Sequence, residues 1–314
     1  MADVLEIHQA GLAAVTDLGR PGHARDGISA NGAADQYSAG VANILVGNPE
    51  TAPLIEITAS TFTVSASGPV LIAITGAPAT VNWPCWEPVR VPAATPVSVS
   101  AIHNGLRTYL AVHGSLAAPR LMGSCAPDPL LEFGTWLRAG DQVALDTDYV
   151  PFSRYPLFRL APPIPRFGTD WTVDVVDGPD ASDFGRPLAG SFEVGQADHI
   201  GLRLRGRAPA RLSSGELLSR GVPAGAVEVT PAGELVVLLR GHPVTAGYPV
   251  IAVATQVAQS ALGQAAPGHQ VTFRHRSRAD AVADHRVRRG ALDRLAGRVR
   301  TCFTELGISC SAQQ

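Results

Sequence analysis

The four residues Ile55–Thr58, IEIT, return as VEVT at Val227–Thr230, and they do not return alone. VLIAITGAPAT from Val70 is echoed by LVVLLRGHPVT from Leu235, with glycine, proline and threonine at the same offsets. AGDQVAL from Ala139 is matched by PGHQVTF from Pro267, and GISANGA from Gly27 by GVPAGA from Gly221 with one residue fewer. Each echo is weak, but together they suggest that the chain was built by duplicating one unit. The unit is β-rich. Runs at Leu54–Thr58, Thr61–Ser65, Val70–Thr75, Arg107–His113, Trp171–Val176, Ile200–Leu204, Ala226–Thr230 and Leu235–Arg240 are short, rich in β-branched residues and bounded by glycine or proline.

Three helices interrupt this pattern. Gln36–Val46 has Asp35 as its N-cap and an apolar face at Tyr37, Val41, Ile44 and Leu45, with Gly47-Asn48-Pro49 as the stop. A second is expected over Gln256–Gln264, and a third over Ala279–Thr301, where arginines and aspartates point to a face that is solvated or rests on a partner. Between the copies lies Pro151–Arg166, whose prolines block both a helix and a central strand. It reads as the linker. The expected division is an N-terminal barrel over 1–155, a second over 156–290, and a helical or flexible tail over 291–314.

Composition narrows the function. A 314-residue chain with 46% hydrophobic and 17% charged residues, 32 glycines and 25 prolines has the profile of a soluble, turn-rich protein of about two domains. A net charge of -2 offers no excess of cations for nucleic acid or an anionic membrane. The N-terminus has no signal-like apolar segment and no later run would span a bilayer, so a cytoplasmic protein is expected. Cys85, Cys125, Cys302 and Cys310 form no CxxC pair and read as free thiols, while His103, His113, His199 and His269 have no ligand spacing, so no bound metal is expected. GxSxG, Walker, HExxH and Rossmann signatures are all missing, as is a Met-Lys-Met biotin-attachment site.

What remains is DLGRPGHARDGISANGAAD, Asp17–Asp35. Its glycines let backbone N–H groups face an anion, and Arg20 or Arg25 offers a bidentate fork, with Asp17, Asp26 and Asp35 as acids, bases or orienting groups. Equally, the glycines serve turns and Asp17 staples the loop by pairing with Arg20. Glu56 and Glu228 occupy matching positions on otherwise apolar strands, where each either needs a partner or lies on the wet face. Thr245 and Tyr248 sit in a proline-flanked turn that either presents hydroxyls to a ligand or buries the tyrosine.

Taken in order, TDLGRPG, GISANGAAD, ANILVGNPE, LIEIT, AITGA, YLAVHG, RGVPAGAVEVTPAGELVVLL and TAGYPVI resemble the biotin-dependent carboxyltransferase or allophanate hydrolase subunit 2 family. The resemblance implies two tandem cyclophilin-like β-barrels in a mainly β fold with a few short helices. It also implies a KipI-like protein, the B component of the assembly, as partner in a heterodimer that can pair into a heterotetramer. Its members include the C component of a 5-oxoprolinase, whose A, B and C components together open 5-oxoproline to glutamate at the expense of ATP. On that pattern Asp17, Asp35 and Glu56 handle protons, and Arg20, Asn31, Gly32, Glu228, Thr245 and Tyr248 hold the substrate. ATP is used by the complex, and biotin, where involved, is carried by another chain. KipA-like binding of a kinase inhibitor and carboxyl transfer in a urea carboxylase-type system are the alternatives. Three stretches depart from the family: SGAMD reads NGAAD at Asn31–Asp35, SDRMG reads ADHIG at Ala197–Gly201, and DRQTTGGYP reads GHPVTAGYP at Gly241–Pro249.

Overall fold

The computed structural model describes residues 3–149, 160–213 and 215–310. Most of the linker expected at 151–166 lies outside them. The chain divides by contact into two units: residues 1–19, 36–167 and 289–314 form the first, and residues 20–35 and 168–288 the second.

The first unit holds two six-stranded sheets. One contains Asp3–Gln9, Phe62–Ala66, Val97–Ile102 and Gln142–Asp146, and the other Ala13–Thr16, Leu54–Thr58, Val70–Gly76 and Arg107–Val112. Strand alternation sends Leu5, Ile7, Val64, Val97, Val143 and Leu145 from the one, and Val15, Ile55, Ile57, Ile72, Ile74 and Leu110 from the other, into a single core. Val70–Gly76 and Arg107–Val112 are buried at every position, because helix α1, Gln36–Leu45, packs on both. The Thr75 hydroxyl donates to Ser38 O of that helix at 2.7 Å. Nine of the ten α1 residues are buried, so it is a core helix and not the one-sided one its apolar face suggested.

The second unit contains a closed seven-stranded barrel, in the order Asp170–Asp177, Val250–Ala254, Ala226–Val229, Leu235–Leu238, Gly201–Arg205, Ser191–Ala197 and Gln270–His275. Closure leaves no unpaired barrel edge. Buried and exposed residues alternate along Trp171, Val173 and Val175, along Phe192 and Val194, and along Val271 and Phe273. A two-stranded ribbon, Arg220–Gly221 with Thr245–Ala246, is separate from the barrel ladder. The mainly β expectation is met, with one closed barrel and one pair of sheets.

Gly140 and Gly268, at the same offset in the AGDQVAL and PGHQVTF echoes, have φ of 90° and 86°, and each N–H donates to a strand carbonyl, Ile7 O or Val194 O. The two copies therefore make the same left-handed turn into their last strand.

Two expectations are corrected. Residues 20–35 group with the second unit and not with an N-terminal barrel, since their hydrogen bonds run to residues beyond 198. The last helix, expected over 279–301, is α3 and runs over Arg278–Leu306, so the residues after 291 take the helical form. Leu292, Leu295, Val299 and Phe303, spaced by three or four, form a buried stripe on an otherwise polar helix. The second expected helix shrinks to α2, Gln259–Leu262. No helix is long and apolar enough to cross a membrane, among the described residues.

Candidate functional site

The glycine-rich loop is held to the second unit by a short ladder of its own. Asn31 N donates to Arg240 O at 3.0 Å and Arg240 Nε returns a bond to Asn31 O at 2.7 Å. The Ser29 hydroxyl donates to His242 O at 2.6 Å. Asn31 and Gly32 take left-handed φ values of 49° and 93°, the region that asparagine and glycine tolerate best. Between the two anchors stands Gly241, whose N–H donates to His199 O at 3.0 Å.

Gly241 has to be small. A β carbon there would lie 2.8 Å from His199 Cδ2 and 3.0 Å from Asn31 Oδ1. The three stretches that depart from the family pattern, around Asn31, His199 and Gly241, thus meet at one point. His199 sits at the tip of the turn joining Ser191–Ala197 to Gly201–Arg205, and Asp198 Oδ1 fixes that turn by accepting from Ile200 N (2.7 Å) and Gly201 N (2.9 Å). His199 Nε2 is buried and has no hydrogen-bond partner among the described residues. Burial lowers the His242 pKa, and its Nδ1 lies 2.6 Å from Pro243 O, which places the proton of the neutral ring on Nδ1.

At the end of the loop, Asp35 Oδ2 accepts from Gln264 Nε2 at 2.9 Å, just past α2. Gly263 lies against the Ala34 backbone, leaving no room for a side chain. Arg20 is 2% exposed, and its N–H donates to Ala30 O at 2.7 Å to close the loop. The guanidinium is an interior group.

Glu228 forms a second cluster in this unit. It is 3% exposed, lies opposite Val236 and Val250 in the ladder, and leaves Oε1 without a hydrogen bond among the described residues. Desolvation pushes its pKa from 4.5 to about 7, against the pull of the Arg220 charge. Arg220 is itself bonded through Nη2 to Asp180 Oδ2, which also accepts from Val250 N at 2.7 Å. Thr245 lies on the ribbon paired with Arg220–Gly221, and Tyr248 is 43% exposed. Tyr248 lines a groove of about 970 Å³ together with Arg207, Arg211, Glu216 and Thr230.

Asp17 and Glu56 belong to the first unit. Asp17 accepts from Gly19 N (2.7 Å), the Ser124 hydroxyl (2.6 Å) and Cys125 N (2.8 Å). It is a staple for the Ser124-Cys125 turn. Glu56 Oε2 accepts from the Tyr109 hydroxyl at 2.9 Å, with Arg107 Nε 3.4 Å from Oε1. The matching carboxylates of the two copies thus differ: Glu56 has a cation and a phenol, whereas Glu228 is left partly unpaired.

Of the residues expected at a site, Asn31 and Gly32 come together with the Gly241 turn, and Glu228 shares a cluster with the ribbon that carries Thr245. His199, Arg240 and Gln264 were not among the expected site residues. The signal for His199 and the 241–249 turn lay in their departure from the family motifs, while Arg240 and Gln264 carry none.

Residues 26–275 match the carboxyltransferase domain, subdomain A and B. The chain is 30% identical to the C component of the 5-oxoprolinase of Escherichia coli, over 94% of this chain and 99% of that protein. It is 28% identical to the urea amidolyase of Saccharomyces cerevisiae, over 81% of this chain but 16% of the relative. Among solved structures, the Kluyveromyces lactis urea carboxylase superposes with a TM-score of 0.83 at 24% identity, over 93% of this chain and 29% of that one, a likeness of fold.

Proposed function

We propose that this chain, which belongs to the carboxyltransferase subdomain A and B family, is the C component of a multi-protein, ATP-driven 5-oxoprolinase. The observation that carries the reading is the end-to-end match to a 5-oxoprolinase component, where the urea-metabolising relatives contain the same region only as a small part of a longer chain.

The chemistry supports a substrate-holding role. A lactam is a poor electrophile, and attack on it needs either a strong nucleophile or prior activation. The Cys125 thiol is pushed up to about 12, by burial first and by Asp17 second, so it is no thiolate at neutral pH. Activation therefore falls to ATP: transfer of its terminal phosphoryl group to the lactam oxygen, releasing ADP, makes the ring carbon electrophilic, water adds to it, the C–N bond breaks as nitrogen takes a proton, and hydrolysis of the resulting acyl phosphate leaves glutamate and phosphate. In this reading the chain binds and orients: Asn31 and Gly32 approach the substrate from the loop, and Asp35, fixed by Gln264, accepts or returns a proton. Arg20 stabilises the loop from inside, and Thr245 and Tyr248 supply hydroxyls from the ribbon side. Glu228 and Glu56 act as substrate-binding and proton-handling groups in their own clusters. The partners in this reading are a KipI-like B component and the A component of the oxoprolinase, in the cytoplasm.

The test is co-expression with both partner proteins followed by an assay of glutamate formed from 5-oxoproline. Turnover is expected only with ATP and the complete set, and none from this chain alone. Robust turnover by the single chain, or none by the full set, sinks the reading. The resemblance to urea carboxylase favours a second reading, carboxyl transfer from carboxybiotin on another chain, and a requirement for bicarbonate and biotin separates the two.

A further inference from the structure

Unlike charges that line one groove without pairing leave a gap that a ligand of complementary charge bridges. The groove of about 970 Å³ beside Tyr248 lies wholly within the second unit and has this character. Its walls are residues 206–213 and 215–217, the turn at 230–233, and residues 247–249, which lead into Val250–Ala254. Among the described residues, the charged side chains that line it are Arg207, Arg211 and Glu216. Arg207 and Glu216 are exposed, and neither side chain has an ion pair or hydrogen bond among the described residues, so the two do not close on each other.

The wall that carries Arg211 is tied down. Asp183 Oδ2 accepts from Arg211 Nε at 2.6 Å and from the Ser213 hydroxyl at 2.7 Å, and Asp183 O accepts from Leu212 N at 2.7 Å. Arg211 Nη1 donates to Gly215 O at 2.6 Å. These bonds orient the guanidinium and leave the Nη2 donors without a partner among the described residues. Thr230 Oγ1 accepts from Glu234 N at 3.1 Å, which leaves the hydroxyl proton to donate, and the Tyr248 hydroxyl is a further donor on the groove. The buried Ala208, Pro209, Val229 and Pro249 supply apolar lining.

Two cations, one anion and hydroxyl donors complement a ligand with two anions, one cation and acceptor oxygens. An α-amino dicarboxylate has that set. Each exposed ion pair is weak alone, because water screens it. Several converging on one small molecule, with an arginine oriented in advance, select for its arrangement of charge. 5-Oxoproline has one carboxylate and a neutral amide, so it leaves Glu216 and one arginine unmatched. Opening the ring creates both the ammonium and the second carboxylate.

We propose that this groove is a binding site for an acidic α-amino acid, in which Arg207 and Arg211 take the two carboxylates and Glu216 takes the ammonium. The site distinguishes ring-opened product from lactam by charge. It goes beyond the proposed function and rests on that reading only for naming glutamate as the occupant.

The test is ligand-observed NMR on the full chain at low salt, with L-glutamate, glutarate, 4-aminobutyrate and 5-oxoproline as probes. Glutarate lacks the ammonium, and 4-aminobutyrate lacks one carboxylate. L-Glutamate is expected to bind and the other three to bind weaker by roughly fivefold or more, the worth of one such pair. Arg207→Gln should weaken L-glutamate by roughly the same factor, and Glu216→Gln should abolish the preference for L-glutamate over glutarate. Both side chains are exposed and unbonded, so both variants are expected to fold, which melting curves check. No binding of L-glutamate, equal binding of glutarate by the parent, or a preference unchanged in Glu216→Gln overturns the site. Turnover by the assembled complex is read separately. Glutamate binding through Arg207 and Glu216 without ATP-driven turnover overturns the enzymatic reading alone, and turnover by a complex whose present chain binds no glutamate overturns this site alone.

Discussion

Gln264 donates a 2.9 Å hydrogen bond to Asp35, joining the second residue past α2 to the end of the glycine-rich loop between two buried side chains. The bond is charge-assisted and shielded from water, so it ties the loop to the second unit more firmly than a surface contact could. Gln264→Leu keeps the bulk and removes the donor. It should lower the unfolding free energy by about 1–3 kcal/mol, the cost of a buried acceptor deprived of its partner. Asp35→Asn, which preserves one oxygen, should cost less. Urea titrations with unchanged m-values would show the order, and equal losses for both variants would mean that the bond contributes nothing specific.

Glu228 makes stability depend on pH. Its folded pKa, about 7, lies above the unfolded value of 4.5, so between these two the folded chain holds a proton that the unfolded chain has released. Its contribution is intact below pH 4.5 and is lost progressively as pH rises toward 7. Glu228→Gln carries no charge to desolvate. The variant should match the parent near pH 4 and exceed it near pH 8 by roughly 3 kcal/mol, the full development of that shift. Parallel stability curves for the two proteins across this range would contradict the assignment.

The strands were the legible part of the fold. Leu54–Thr58 and Val70–Gly76 announce themselves because β-branched runs between glycines and prolines have few other conformations open to them. Ser191–Ala197 did not, since Gly195 and three polar residues dilute its pattern, and it is fixed instead by pairing with Gly201–Arg205 and Gln270–His275. The helix at α3 was legible too, expected over 279–301 and found over Arg278–Leu306, where four apolar residues among many charged ones suffice to bury a stripe. At the site, Asn31 and Gly32 were readable from glycine chemistry. The unpaired nitrogen of His199 and the Arg240 anchor exist only once residues some two hundred apart are brought together, which local sequence does not encode.

Cys125 should resist alkylation. Its thiol is buried and faces the Asp17 carboxylate, and both effects disfavour the thiolate. Iodoacetamide at pH 8 is expected to modify the native chain at Cys125 at least tenfold more slowly than after unfolding in urea. Asp17→Asn should retain much of the staple's shape yet lose acceptors for Gly19 N, the Ser124 hydroxyl or Cys125 N, and so raise that rate as the turn loosens. Rapid labelling of Cys125 in the folded parent would show that the turn opens freely.

Arg20 decides whether the glycine-rich loop is built from the inside. A guanidinium stays charged at any pH the fold survives, so it cannot escape the cost of burial by releasing a proton. Buried arginines are accordingly almost always paired, and Arg20 is 2% exposed. Arg20→Met keeps the length of the side chain and removes every donor. For an exposed loop the change would stay within about 0.5 kcal/mol. For a buried cation whose partners lose their counter-charge, about 3 kcal/mol or more is expected. Arg20→Lys retains the charge without the planar fork and should fall between. Urea midpoints at constant m-value distinguish these outcomes, and the assembled complex then reports on the ligand separately. An Arg20→Met chain as stable as the parent, yet at least tenfold weaker for substrate, would return Arg20 to the role of an anion holder that the sequence first suggested.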